Sequence, residues 1–215
     1  MAIRIVLADD HAIVREGLKR IVGDVSDFEI AGEAADGTEV MQRVRGLEFD
    51  VLLLDLSMPG RSGMELIKLV KAEKPRLRVL VLSMHQETQY AVRAIKAGAS
   101  GYLTKESAGT QLVGAIRKVA SGRPYISTEV AEQLALNIMA PSEQLLHKQL
   151  SDREFEVFSL LVGGKSITEI ANGLHLSVKT VSTHKTRIMQ KMGMNSLSEM
   201  VQYAVAHRLL APMKA

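Results

Sequence analysis

Residues 51–55 read Val51-Leu52-Leu53-Leu54-Asp55, and the loop Leu56-Ser57-Met58-Pro59-Gly60 follows at once. Four apolar residues in a row, without alternation, are typical of a strand that is buried on both faces of a parallel sheet. Open sheets of this kind hold their functional groups just beyond the carboxyl ends of the strands. The carboxylate that closes this strand, Asp55, is therefore predicted to face a site.

The first 121 residues contain four further apolar runs that are predicted strands. They lie near Ile3–Ala8, Glu29–Ala34, Val79–Ser83 and Gly101–Thr104. Between the strands, apolar residues recur at the spacing of an amphipathic helix. Alternating strands and helices predict an α/β domain with a doubly wound, five-stranded parallel sheet and right-handed crossovers.

Polar side chains follow these strands at one edge of the predicted sheet. They are Asp9 and Asp10 after the first strand, Asp55 after the third, Ser83 after the fourth and Lys105 after the fifth. Each alone is more often a helix cap, a turn residue or a solvated charge, but their joint order predicts a Mg²⁺-dependent, phosphoryl-accepting site. Mg²⁺ prefers oxygen ligands, which Asp9, Asp10, Asp55 and the backbone carbonyl of Ser57 would supply. Asp55 is the predicted nucleophile, with Lys105 and Ser83 on the phosphoryl oxygens.

We predict three parts in the chain: residues 1–121, a linker at 122–147 and a second domain at 148–215. The linker is predicted to hold one helix, near Thr128–Met139, because Gly122-Arg123-Pro124 and Pro141 break helices on either side. An extension packed on the first domain is the alternative. The second domain is predicted to be small, all-α and four-helical. Its helices lie near Asp152–Gly163, Ser166–Gly173, Val178–Met192 and Ser196–Arg208.

The third helix of the second domain is basic. Residues 179–191 carry three lysines, one arginine and one histidine but no acidic residue, which is the charge pattern of a nucleic-acid contact. A merely solvated helix face is the alternative. An apolar stripe is predicted to face inward: Val178, Val181, Ile188, Met189 and Met192. The outward candidates for DNA contact are Lys179, Thr180, Ser182, Thr183, His184, Lys185, Thr186 and Arg187.

Composition excludes several other classes of protein. The 215 residues contain no cysteine, so disulfides, thiolate metal sites and cysteine nucleophiles are excluded. No apolar run reaches the ~18 residues of a membrane span, and the N-terminus lacks a signal-peptide pattern. We therefore expect a cytoplasmic protein without membrane contact. The formal net charge of +3 is too small to identify a partner.

Residues 1–121 resemble the CheY-like, flavodoxin-like receiver domain of two-component response regulators. The matching motifs are Leu7-Ala8-Asp9-Asp10-His11, Asp55-Leu56-Ser57-Met58-Pro59-Gly60, Leu82-Ser83 and Gly101-Tyr102-Leu103-Thr104-Lys105. The resemblance implies phosphotransfer from a sensor histidine kinase to Asp55, with Ser83 and Tyr102 as the switch pair. It also implies that Ser57 and His85 influence the lifetime of the acyl phosphate.

Residues 148–211 resemble the LuxR-type helix-turn-helix domain of NarL/FixJ-type regulators. The matching motifs are Leu150-Ser151-Asp152-Arg153-Glu154, residues 164–171 and residues 176–184. The resemblance implies binding to double-stranded promoter DNA and dimerisation through the last helix. The apolar stripe of that helix comprises Leu197, Met200, Val201, Ala204 and Val205.

Together these features predict a phosphorylation-activated, DNA-binding transcriptional regulator that is a homodimer when phosphorylated, and not an enzyme. An aspartyl-phosphate phosphohydrolase is disfavoured, because haloacid-dehalogenase-like enzymes carry a second Asp where Ser57 stands. Two alternatives stay open: an atypical regulator whose DNA binding ignores phosphorylation, and a protein-interaction module whose basic helix binds acidic partners.

Overall fold

The computed structural model describes residues 2–58, 63–84, 88–139, 145–207 and 209. Some residues used in the sequence predictions lie outside this described part of the chain. They are Pro59 and Gly60 of the loop after Asp55, His85, Pro141 and the predicted helix end at Arg208.

The first part of the chain forms the predicted parallel sheet, whose strands in the described residues are ordered β2-β1-β3-β4-β5. The strands are β1 Ile3–Ala8, β2 Phe28–Ala34, β3 Val51–Asp55, β4 Arg78–Ser83 and β5 Gly101–Thr104. Three strands have the predicted bounds. The other two begin one residue earlier, because Phe28 pairs with Ile3 and Arg78 pairs with Val51.

Helices cover both faces of this sheet. They are α1 Ala12–Gly23, α2 Gly37–Gly46, α3 Gly63–Glu73, α4 Thr88–Ala97 and α5 Lys105–Ala120. Helices α1 and α5 pack on one face, where Leu18, Leu112 and Ile116 bury against strand residues such as Leu53. Along β3 all five residues are buried, as expected of a central strand that is covered on both sides.

The order of the strands fixes where a site can form. The chain runs from β1 outward to β2 and then returns to β3 on the other side of β1. The carboxyl ends of β1 and β3 therefore flank the point at which the winding reverses, which is where open α/β sheets bind ligands.

The predicted linker helix is present as α6, Thr128–Met139. The residues before it pair with the sheet: Tyr125 forms a parallel bridge to Gly101. The chain divides into two compact units at Glu132 and Gln133, inside α6. The start of the linker thus packs on the first unit, which favours the alternative of an extension. The domain boundaries at residues 121 and 147 stay a prediction.

The second unit is helical, as predicted. A short 3₁₀ helix, Leu146–Gln149, precedes α7 Asp152–Val162, α8 Ile167–Gly173, α9 Val178–Met192 and α10 Leu197–Ala206. Helix α9 packs on α7 and α8, and α10 packs on α7. Phe155 and Phe158 are fully buried in this unit. Across the described residues of both units, no helix combines the length and the apolar character needed to cross a bilayer.

A serine is the N-cap residue of each of these four α-helices. The side chains of Ser151, Ser166, Ser177 and Ser196 each accept a hydrogen bond from the backbone N–H three residues later. Ser151 and Ser166 also form the reciprocal half of a capping box, with Glu154 and Glu169. Because an N-cap contributes roughly 1 kcal/mol to helix stability, these caps define the short connections in the unit.

Candidate functional site

Three carboxylates and one imidazole meet at the switch point of the sheet. Ligand atoms of Asp9, Asp10, His11 and Asp55 all lie within 4.8 Å of one another. Asp9 and Asp10 lie directly after β1, and Asp55 ends β3, which pairs next to β1. The predicted convergence of these carboxylates is therefore observed.

Lys105 joins two of these carboxylates. Its Nζ lies 2.7 Å from Asp9 Oδ2 and 2.8 Å from Asp55 Oδ2. Asp9 and Asp55 are each only 1% exposed, and the Lys105 side chain is 14% exposed. Lys105 is the first residue of α5, directly after β5, so the fifth strand places its ammonium group in the pocket.

Burial and neighbouring charges shift the pKa of Asp55 and of Lys105. Burial raises the pKa of Asp55 above its ordinary value, and the neighbouring Lys105 only partly opposes this effect. Burial alone would lower the pKa of Lys105, but the Asp55 and Asp9 carboxylates outweigh it and raise that pKa. One ammonium group thus faces several carboxylates. The pocket carries excess negative charge, which a bound cation would offset.

Backbone groups hold the two buried carboxylates in place. The N–H of Ser57 donates to Asp55 Oδ1 at 3.1 Å, and the N–H of His11 donates to Asp9 Oδ1 at 2.9 Å. Gly63, the first residue of α3, lies against Leu56, since a Cβ atom at Gly63 would stand 2.7 Å from Leu56 Cα. This contact supports the loop that follows Asp55.

The two predicted switch residues lie on neighbouring strands. Ser83 is fully buried at the end of β4 and pairs with Thr104 of β5. Tyr102 lies two residues before Thr104 and is 8% exposed, so its ring is packed inward. Met84, next to Ser83, is 64% exposed.

The donor atoms of the pocket suit Mg²⁺. Carboxylate oxygens of Asp9, Asp10 and Asp55 are hard ligands of the kind that Mg²⁺ selects, and Mg²⁺ keeps several waters in addition. His11 differs, because an imidazole nitrogen suits transition ions better than Mg²⁺. The oxygen atoms of this chain therefore fit the ion that the sequence predicts.

The second unit contains a helix, a short turn and a second helix. Helix α8 ends at Gly173, and Ser177 caps α9 with a hydrogen bond from the N–H of Thr180 at 3.0 Å. Between them His175 adopts a left-handed backbone conformation, with φ of 52°, which is uncommon for a residue other than glycine. Residues 174–177 thus make the tight turn of a helix-turn-helix unit.

Helix α9 presents a mostly polar face. Val181, Ile188 and Met192 are buried, as predicted, but Val178 is 50% exposed, which corrects its predicted inward position. Val178 is the first residue of α9, and helical spacing in a sequence does not show at which residue the helix begins to pack against its neighbours. Of the predicted contact residues, four are exposed: Lys179, Thr183, Thr186 and Arg187. The partly buried ones are Thr180, Ser182, His184 and Lys185.

Three of these side chains are less available than the sequence suggests. The hydroxyls of Thr183 and Thr186 donate back to the helix, to the carbonyls of Lys179 and Ser182. His184 has a buried Nδ1 atom, and burial together with nearby Arg153 lowers its pKa. This shift disfavours a positive charge on His184.

Two family models match this chain. The response regulator receiver domain covers residues 5–117, and the luxR family of bacterial regulatory proteins covers residues 148–204. The first match alone spans more than half of the chain. The chain is a response regulator. Its receiver domain is followed by a LuxR-type DNA-binding domain, and it belongs to a two-component system.

Several known proteins match this chain over nearly its whole length. The response regulator is 39% identical to the oxygen regulatory protein NreC of Staphylococcus aureus (strain JH9), over 96% of this chain and 99% of that protein. It also resembles RcsB from Salmonella enterica serovar Typhimurium, bound to promoter P1flhDC in the presence of the phosphomimetic BeF3-. That likeness has a TM-score of 0.64 and 29% identity over 96% of this chain and 100% of the other. A structure of two RcsB dimers bound to two parallel DNAs matches with a TM-score of 0.58 and 29% identity, over 96% and 99% of the two chains.

The last helix of this response regulator divides its apolar stripe between two environments. Met200 and Ala204 are fully buried, whereas Leu197 is 40% and Val205 61% exposed. Val201 is half-buried. The side chains available for a partner are therefore Leu197, Val201 and Val205, and Met200 and Ala204 contribute to the core.

Sequence reasoning gave no role to two groups in these sites. The exposed imidazole of His11 lies with its Nδ1 2.8 Å from Asp10 Oδ1, and its position directly after the acidic pair was the available signal. Glu154 Oε2 accepts bonds from Ser151 and, at 2.6 Å, from Lys191 at the end of α9. No local pattern in the sequence reports the contact of Glu154 with Lys191, because the two residues are distant in the chain.

Proposed function

We propose that this response regulator is a cytoplasmic transcription factor that a sensor histidine kinase activates by phosphorylating Asp55. The contact of Lys105 Nζ with both Asp9 and Asp55 is the observation that carries the proposal. Two buried carboxylates around one lysine, at the switch point of an open sheet, have little value for packing. They suit a site that handles phosphoryl groups and cations.

The positions of these groups support the following phosphotransfer step. A carboxylate oxygen of Asp55 would attack the phosphorus of a phosphohistidine on the kinase. The new O–P bond forms as the P–N bond breaks, and the electron pair stays on the imidazole, which takes up a proton. Lys105 is placed to neutralise the charge of the phosphoryl oxygens, and buried Ser83 offers a hydroxyl donor.

Mg²⁺, when held by the carboxylates of Asp9, Asp10 and Asp55 and the Ser57 carbonyl, would supply charge neutralisation and orient the incoming phosphoryl group. Formation of the acyl phosphate would draw the Ser83 hydroxyl toward the phosphoryl group and change the position of Tyr102. Ser57 and His85 would then influence how long the acyl phosphate persists.

DNA binding is assigned to helix α9. Exposed Lys179 and Arg187, with half-buried Lys185, provide the charge for phosphate contacts. Thr180, Ser182, Thr183 and Thr186 lie on the same helix and would approach base edges. The promoter complex and the dimers of RcsB support the binding of double-stranded promoter DNA by a homodimer, formed here through Leu197, Val201 and Val205 after phosphorylation.

The decisive experiment measures DNA affinity with and without a small-molecule phosphodonor and Mg²⁺, using duplexes selected from a random pool. Wild type should bind more tightly with the donor, by 5- to 150-fold if the coupling is of the usual size, about 1–3 kcal/mol. Asp55→Asn should not respond, whereas Asp24→Asn, a change at an exposed aspartate on the first unit, should respond as wild type does.

Two results would argue against this proposal. Equal binding by wild type with and without donor would favour a regulator whose output ignores phosphorylation. The absence of salt-sensitive DNA binding under every condition would contradict the assignment of α9 to DNA and favour an acidic protein partner.

A further inference from the structure

The segment that follows α5 lies along the edge of the sheet. Strand β5 is the last strand in the order of the sheet. The N–H of Tyr125 donates to the carbonyl of Ser100 at 3.1 Å, and the N–H of Tyr102 donates to the carbonyl of Tyr125 at 2.9 Å. Tyr125 thus extends the sheet beyond β5 by one parallel bridge and covers part of an edge that proteins usually protect.

Gly101 permits this close approach because it has no side chain. A Cβ atom at Gly101 would stand 2.9 Å from the carbonyl oxygen of Tyr125 and 3.0 Å from its Cβ. It would also stand 3.0 Å from Leu80 Cδ1. A methyl group at position 101 therefore has to displace the Tyr125 backbone, the neighbouring Leu80 side chain, or both.

Further contacts hold the segment from Tyr125 to Val130 on the first unit. The Tyr125 hydroxyl donates to Gln111 Oε1 at 2.7 Å, and Lys118 Nζ lies 5.6 Å from the centroid of the Tyr125 ring. Ser127 accepts a hydrogen bond from the N–H of Val130, and Val130 is 5% exposed. We call residues 125–130 the latch segment.

The latch segment touches the predicted switch residue in two ways. Tyr102 donates its backbone N–H to Tyr125, and its side chain lines a cavity of about 350 Å³. Ile126, Glu129 and Val130 line the same cavity. A movement of the Tyr102 ring would therefore alter the wall against which the latch segment packs, directly beside the backbone pairing of Tyr102 with Tyr125.

We propose that the latch segment is docked on β5 in the resting protein and is released when Tyr102 moves. The contacts described above support the docking of the latch segment. Its release by phosphorylation rests on the proposed function of Asp55 and Tyr102. Release would free six residues, which span up to roughly 20 Å when extended. The tether between the two units would lengthen by at most the difference between that span and the distance the docked segment already covers. The second unit would then sample more positions for pairing with a second copy.

Docking is tested by amide hydrogen exchange, resolved by residue in NMR spectra of the full chain. In wild type the amides of Tyr102 and Tyr125 should be protected. Gly101→Ala should reduce protection at both by at least tenfold, whereas Gly114→Ala, at an exposed helical position with open space around it, should leave both unchanged. The amide of Leu53, in the centre of the sheet, reports whether either variant disturbs the fold.

A second variant acts without altering the sheet. Tyr125→Pro removes the N–H that donates to Ser100 and leaves Gly101 and Leu80 in place, and it should also lower protection at Tyr102. Docking is wrong if the wild-type Tyr125 amide exchanges at the rate of an unstructured peptide. It is equally wrong if Tyr102 keeps its protection in both variants.

Coupling to the phosphoacceptor is tested with beryllium fluoride and Mg²⁺, with occupancy of Asp55 followed by fluorine NMR. Loaded wild type should lose at least tenfold protection at Tyr125, and Asp55→Asn should lose none. Loading without loss of protection would overturn release while the assignment of Asp55 stands. Failure to load would instead contradict the proposed function and release together, and docking would then be judged by the Gly101 and Gly114 variants.

Discussion

Lys105 is the residue on which the charge balance of the acidic pocket depends. It supplies the ammonium group that faces buried Asp9 and Asp55. Removing one partner of a buried ion pair is costly because the remaining charge is left without compensation.

We therefore expect Lys105→Met to lower the free energy of unfolding of the first unit by about 3 kcal/mol at pH 7 without Mg²⁺. Added Mg²⁺ should recover part of this loss and stabilise the variant more than wild type. The measurement is hydrogen exchange of β3 amides with and without Mg²⁺. Lys96→Met, at an exposed lysine, is the control, and equal behaviour of the two variants would contradict the charge argument.

Gly63 is a second single residue that shapes the pocket. A Cβ atom there would lie 2.7–2.8 Å from Leu56, whose backbone follows Asp55. Gly63→Ala should cost about 1–3 kcal/mol, in the range of other overpacked sites, and should weaken Mg²⁺ binding in isothermal titration calorimetry. Gly17→Ala lies in open space on α1 and should be neutral or slightly stabilising. If Mg²⁺ affinity is the same in both variants, Leu56 does not control the geometry of the pocket.

At the scale of elements, one carboxylate connects two helices of the DNA-binding domain. Glu154 caps α7 with Ser151 and accepts a bond from Lys191 of α9. Burial would raise the pKa of Glu154, but Lys191 and Ser151 outweigh it and hold that pKa below its ordinary value. Because the folded-state pKa is depressed, the stabilisation is present above pH 4.5 and is lost as the pH falls through the folded pKa.

Lys191→Met should therefore lower the stability of the second unit by roughly 1–2 kcal/mol at pH 7, since it leaves a buried acceptor poorly satisfied. The difference from wild type should shrink as the pH falls below 4.5. Exchange of α7 and α9 amides from pH 7 down to well below pH 4.5 provides the measurement, with exposed Lys179→Met as the control. A loss of stability that is constant across this pH range would mean that Glu154 is not its cause.

The sequence predicts strands and long helices well because each has a regular period or a cap. Asp9, Asp55 and Lys105 could be placed together because parallel strands end at one edge of a sheet. Tyr125 could not be paired with Gly101, since one isolated bridge has no period. The exposure of Val178 and the burial of Met200 depend on which neighbouring helix covers them, and that choice is made by long-range packing.

For the whole molecule, DNA binding should follow the charge of α9. Each lysine that contacts a phosphate contributes about 0.9 to the slope of log affinity against log salt concentration. Lys179→Ala should reduce that slope by about 0.9, whereas Lys148→Ala, an exposed lysine outside α9, should not change it. Fluorescence anisotropy with a selected duplex at several salt concentrations measures the slope, and an unchanged slope for Lys179→Ala would remove that residue from the interface.

The latch segment has a consequence for how such a chain can diversify. Its pairing with the sheet uses main-chain atoms of Ser100, Tyr102 and Tyr125, so most side chains of the segment can be exchanged while the pairing persists. The restriction falls instead on Gly101, which belongs to the sheet. Related proteins could thus change how strongly phosphorylation affects DNA binding by altering the side chains of the latch segment. A single methyl group at position 101 would instead prevent the segment from docking.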